Sequence, residues 1–126
     1  MQIAPAALVD VLHVPYTYFP DAVGGTEVYV AGLAEMLFAH GARSAIAAAG
    51  EVDNAYRHNR TPVFRFATER RGDLNRAYGV PDAQAAQSFR ALIARQRPRI
   101  VHLHAYTAAV SPRLVDVAHE AGAKVV

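Results

Sequence analysis

The sequence predicts a doubly wound α/β domain, a parallel sheet with helices on both faces, and three observations lead there. Short apolar runs alternate with longer segments of helical period, beginning strand, helix, strand and continuing with further helix–strand units. The first run, Val9–Val14, is apolar on both faces, as a strand buried between helix layers is. Gly41 and Gly122 stand just past helical stretches, where a left-handed residue closes a helix.

Taken in order, Met1–Leu8 reads as a lead-in arm, and Asp10 fits the first strand only at its opening turn. The segment from Pro15 to Val23 is longer than the roughly 2–6 residues usual for such a connection, and long loops at strand ends usually serve a ligand. Thr26 is the expected cap of the first helix and Glu27 the acid of its first turn. Val30, Leu33, Ala34, Leu37 and Phe38 form its expected inner stripe. Ser44–Ala49 is the second strand, closed by Gly50. Glu51–Thr61 shows no clear period and reads as a loop. Val63–Phe66 alternates and reads as the third strand. Thr68–Asp82 is charged and broken by Gly72, Gly79 and Pro81. A second helix is expected from Ala83 to Gln96, with Phe89, Leu92, Ile93 and Gln96 inward and Pro98 as its stop. Ile100–His104 is the fourth strand. Val110–Ala121 is the third helix, with Leu114, Val115, Val117 and Ala118 inward. Lys124–Val126 opens a fifth strand, so the reading expects part of a longer protein. The expected strand order is 3-2-1-4-5, with a switch point between strands one and four, where ligands of such sheets bind.

Composition narrows the chemistry. The 126 residues fit one domain and include no cysteine, which removes disulfides, thiolate metal sites and cysteine nucleophiles. Thirteen Lys and Arg against eleven Asp and Glu leave a charge of +2, too small an excess to argue for nucleic acid. The amino terminus lacks a basic region followed by an apolar run, and no stretch reaches the roughly 18 apolar residues of a membrane span. The expected location is the cytoplasm, with peripheral contact to the membrane face left open.

Gly24-Gly25-Thr26-Glu27 is the first candidate for chemistry, because glycines let backbone amides approach a phosphate and a helix start adds positive potential. It lacks the third glycine of a dinucleotide fingerprint and the Gly-Lys-Ser/Thr of a P-loop, and a plain tight turn is the competing reading. His102 and His104, two apart on a strand, point to one face and could share a ligand. With no third ligand at an obvious spacing, no metal is expected. His104 reads as the cleft-edge histidine, and His13 as a packed core residue. Tyr16, Tyr18 and Phe19 either stack on a sugar or an acceptor molecule or anchor their loop to the sheet. Arg57, Arg60, Arg70, Arg71, Arg95, Arg97 and Arg99 mostly read as solvated, with a phosphate-facing role open for one or two, and Asp116 and Glu120 read as facing water.

Together, Leu12-His13-Val14, Pro20, Gly24-Gly25-Thr26-Glu27, His40-Gly41, Arg97–Ala105 and Ser111–Val126 resemble glycosyltransferase family 4, retaining enzymes of the two-domain GT-B fold. The resemblance spans nearly the whole chain in the correct order. It implies the Rossmann-like N-terminal, acceptor-side domain, with a separate C-terminal domain holding the donor. It implies sugar transfer from a nucleotide diphosphate sugar to a hydroxyl acceptor, a glycan or a lipid-linked one in polysaccharide biosynthesis, with no cofactor and no essential metal. In that pattern Gly24 and Gly25 approach the donor diphosphate and His104 lies near the cleft. The family's usual histidine after the fifth strand would fall beyond Val126, so these residues alone are expected to be inactive. An uncovered sheet edge would invite self-association. The alternative is a non-enzymatic doubly wound module that binds a small anion or a partner protein. A receiver domain would need acidic residues for Mg²⁺ after the first strand, and a flavin domain a Ser/Thr-rich phosphate loop there; neither is present.

Overall fold

Four consecutive buried residues, Val11–Val14, form β1 at the centre of a six-stranded sheet. The structure, a computed structural model, describes residues 9–21, 24–69 and 81–126. The lead-in arm, Arg70, Arg71, Gly72 and Gly79 lie outside them. The remaining elements are α1 (Gly25–Ala39), β2 (Ser44–Gly50), β3 (Asn54–His58), β4 (Thr61–Ala67), α2 (Ala83–Gln96), β5 (Ile100–Leu103), α3 (Pro112–Glu120) and β6 (Lys124–Val125). No helix among the described residues is long and apolar enough to cross a membrane.

The sheet runs β3-β4-β2-β1-β5-β6 and is mixed rather than purely parallel. Pairs β4–β2, β2–β1, β1–β5 and β5–β6 are parallel, and β3 pairs antiparallel with β4. The order therefore differs from the expected 3-2-1-4-5 by an added edge strand within the segment read as a loop. The cause is a two-residue turn: Asn59 and Arg60 both take positive φ, 47° and 73°. Paired positive φ values at the tip of a two-residue hairpin match the right-handed twist of its strands. Asn suits that conformation and Arg does not, so the usual Asn-Gly signal is missing from the sequence.

Alternation divides the side chains between two cores. Leu12, Val14, Ala45, Ala47, Phe66 and Val101 pack with Phe89, Leu92 and Ile93 of α2 and Leu114, Val117 and Ala118 of α3. On the opposite face Ile46, Ala48 and Val63 pack with Val30 of α1 and with Tyr18. Helices thus cover both faces, as expected. The caps differ in detail from the sequence reading. Gly24, not Thr26, is the N-cap of α1; its N–H donates to the Glu27 carboxylate at 2.7 Å, while Thr26 is exposed. The inner stripe of α1 is narrower than expected, since Phe38 is 58% exposed beneath the Arg60 guanidinium. The third helix starts at Pro112, because the Ser111 hydroxyl accepts the Arg113 N–H and Pro suits the first helical position. Asp82 caps α2 by accepting the Ala85 N–H at 2.9 Å. Asp10 lies just before β1, where its carboxylate accepts the Arg43 N–H at 2.7 Å.

Candidate functional site

Parallel pairing of β1 with β5 carries both chain exits to one end of the sheet. There the His104 N–H donates to the Val14 carbonyl at 3.1 Å, extending the β1–β5 pairing to the first residue after β5. The loop after β1 is also fixed to β2, because the Ala49 N–H donates to the Tyr16 carbonyl at 3.1 Å. Beside it opens a cavity of about 500 Å³ lined by Tyr16, Thr17, Gly50, Glu51, Thr68 and Glu69, among others. The cavity lies at the carboxyl ends of β1, β2 and β4, the end of an open α/β sheet that holds ligands, but to the β2 side of the switch point between β1 and β5.

The glycine turn is narrower in what it offers than its sequence suggests. Glu27 is only 7% exposed, and its carboxylate accepts from the Gly24 N–H and from the Thr17 hydroxyl. Burial opposes the charge, but these hydrogen bonds outweigh it and hold the carboxyl below its usual pKa. A fixed carboxylate thus occupies part of the positive end of α1. The amides of Gly25 and Thr26, in the first helical turn, have no intrahelical acceptor by position.

Of the three loop aromatics, Tyr18 and Phe19 anchor. Tyr18 is 1% exposed, and burial pushes its hydroxyl up to about 12. Phe19 stacks on His58 with ring centres 4.2 Å apart and planes within 6°. Tyr16 alone of the three lines the cavity. The residue that holds this loop is Arg65 of β4, which the sequence reading passed over. Its guanidinium donates to the Asp21 carboxylate at 2.8 Å, to the carbonyls of Tyr18, Phe19 and Ala49, and to the Tyr56 hydroxyl. The only signal in the sequence is an arginine between the two phenylalanines of β4, which places it on the face opposite them.

The second group is a set of three histidines on the α1 side of the sheet. His13 and His102 are direct partners across the β1–β5 pair, and His104 follows two residues on. His13 is fully buried and the other two are half-buried. His13 Nδ1 lies 3.1 Å from His104 Nε2, and His13 Nε2 lies 3.2 Å from the Ser44 hydroxyl. The rings of His102 and His104 are 3.9 Å apart. Burial, with the neighbouring imidazoles, lowers His13 to about 3; burial first and then His102 lower His104 to about 4, and burial lowers His102 too. All three rings are therefore neutral at pH 7 and present nitrogen lone pairs. The expected pair of His102 and His104 is brought together, and His13, read as core, joins them while remaining buried. Arg57, Arg60, Arg95, Arg97 and Arg99 do not line the cavity beside Tyr16. Asp116 and Glu120 face water, Glu120 in an exposed ion pair with Arg90.

Comparisons of the chain with protein-family models, curated proteins and solved structures find no match.

Proposed function

We propose that this chain is the N-terminal, acceptor-side domain of a retaining glycosyltransferase that moves a sugar from a nucleotide diphosphate sugar to a hydroxyl acceptor. The observation that carries the reading is that the loop leading to the glycine turn and the segment at His104 both leave the sheet at the carboxyl ends of β1 and β5, and that the first of them opens at Tyr16 and Thr17 onto a cavity of about 500 Å³. The substrate class comes from the motif resemblance alone, and this geometry is compatible with it.

In this reading the donor diphosphate approaches the first-turn amides of Gly25 and Thr26 rather than Gly24, whose N–H Glu27 already takes. The His104 imidazole, neutral at pH 7, stands at the edge of this site without a charge, its Nε2 turned to His13 Nδ1. The acceptor occupies the cavity beside Tyr16 and Thr17. When the bond between the sugar and the diphosphate breaks, charge develops on the leaving oxygen, and fixed donors aimed at it lower the barrier. The reaction needs no metal in this scheme. A C-terminal domain carries the rest of the donor site, and the present residues alone give no turnover.

The test is the size and activity of the native protein in its source cells. An antibody to this chain should detect a protein roughly two to three times as long, purified preparations of which release nucleoside diphosphate from a sugar nucleotide when a hydroxyl acceptor is added. A native protein of only this length, or sugar transfer by the 126 residues alone, overturns the proposal. The first of those outcomes favours a small anion-binding module.

A further inference from the structure

Three imidazoles on one face of two neighbouring strands make a donor set that the proposed transfer reaction does not use. Their ligand nitrogens all lie within 4.8 Å of one another. A tetrahedral zinc ion with nitrogen ligands at about 2.0–2.1 Å places those nitrogens about 3.4 Å apart. The His13–His104 separation of 3.1 Å is already close to that value. The widest pair must close by on the order of 1 Å, within reach of side-chain rotation by half-buried His102.

We propose that His13 Nδ1, His102 and His104 Nε2 form a binding site for a late first-row divalent transition cation, zinc foremost. The strand register builds the site: His13 faces His102 across the β1–β5 pair, and His104 projects to the same side two residues on. Ser44 supports the arrangement from behind. With His13 Nε2–H donating to the Ser44 hydroxyl, Nδ1 keeps its lone pair, as a metal-ligating histidine with an outer hydrogen-bond partner does. Without an ion, the His104 Nε2–H fills the same gap by donating to that lone pair. The cation replaces this proton, and the His104 proton moves to Nδ1.

The chemistry of the set defines what it takes. Three neutral nitrogens with no carboxylate among them favour zinc, copper, nickel or cobalt over magnesium or calcium. Three protein ligands leave a fourth tetrahedral position for water or an outside ligand. The site stands independently of the transferase reading, and the two adjoin only at His104, whose Nε2 faces His13 with or without an ion.

Titration of the 126-residue protein with Zn²⁺ alone, against a chelating indicator, tests the proposal, with Co²⁺ as a spectroscopic stand-in. One equivalent should bind, and Mg²⁺ or Ca²⁺ should not displace it. Substitutions His102→Ala and His104→Ala should weaken binding by more than the roughly 10–100-fold that loss of an outer partner costs, and Ser44→Ala by about tenfold. The variants His40→Gln and His119→Gln, on exposed histidines away from the set, should leave the affinity unchanged. Absence of stoichiometric binding, or equal affinity in wild type and both alanine variants, refutes the site. If an alanine variant fails to fold, zinc-edge X-ray absorption on the wild type decides. Three imidazoles in the first coordination sphere support the site, and fewer refute it.

Discussion

Lowering the pH should destabilise this protein well before its carboxylates protonate, and His13 supplies a defined share of the effect. Its imidazole is held at about 3 in the folded chain, against 6.5 when freely hydrated. Between those values the unfolded chain binds a proton that the folded chain does not, so stability falls as pH falls through this window. Each pH unit inside it costs about 1.4 kcal/mol. From pH 7 to about pH 5 the loss from His13 alone is about 2 kcal/mol, a large part of the roughly 5–15 kcal/mol typical of a domain. His104 and His102, also lowered, act in the same direction. Glu27 acts separately: its carboxyl is held below its usual value, so its contribution is present above about pH 4.5 and disappears only at lower pH. Urea unfolding at pH 7 and about pH 5, with chelator present so that no cation competes for the imidazoles, reads the difference directly. The variant His13→Gln, whatever its stability at pH 7, should lose the His13 share of this pH dependence, about 2 kcal/mol, and keep the share of His104 and His102. A wild-type midpoint that does not move, or an NMR titration placing His13 near 6.5, would refute the reasoning.

Other perturbations have equally definite outcomes. Arg65→Ala removes the donor shared by Asp21, Tyr56 and three backbone carbonyls, and should cost about 3–4 kcal/mol in chemical denaturation. Asp21→Asn should cost only about 1 kcal/mol, because that carboxylate is 38% exposed. Asp82→Ala should cost about 2 kcal/mol, since one buried carboxylate accepts both the Ala85 and the Glu69 N–H. Gly41→Ala meets no neighbouring atom but stands at φ +87°, so thermal unfolding should report a loss of about 1 kcal/mol from backbone conformation alone.

The parts of the fold legible in the sequence are those with a strong local period. Val9–Val14, Ser44–Ala49 and Ala83–Gln96 announce themselves by apolar runs or spacing, and the structure places elements there within a residue or two. The strand Asn54–His58 does not announce itself, because it is an edge strand with mostly exposed side chains and its turn carries an arginine where glycine would signal it. The site shows the same division. That His102 and His104 share a face follows from strand alternation, two residues apart. That His13 joins them depends on the register between two four-residue strands with no turn linking them, to which no local pattern is a guide. Arg65 is similar, since its partners lie up to 47 residues away in the chain. The glycine turn shows the opposite case. Its residues invite an anion, yet the structure places a carboxylate of the same turn against the first of its amides.

The Arg65 contacts bear on how the cavity beside Tyr16 and Thr17 meets a ligand. Ordering a backbone costs roughly 1–2 kcal/mol per residue. For Tyr18, Phe19 and Asp21 that cost falls on folding, because the guanidinium holds them whether or not anything is bound. The guanidinium reaches the cavity lining itself only at the Ala49 carbonyl, and otherwise pins the stretch that directly follows Tyr16 and Thr17. A molecule arriving at these two residues meets a loop anchored on its far side, so the part of the ordering cost that belongs to Tyr18, Phe19 and Asp21 does not fall on binding.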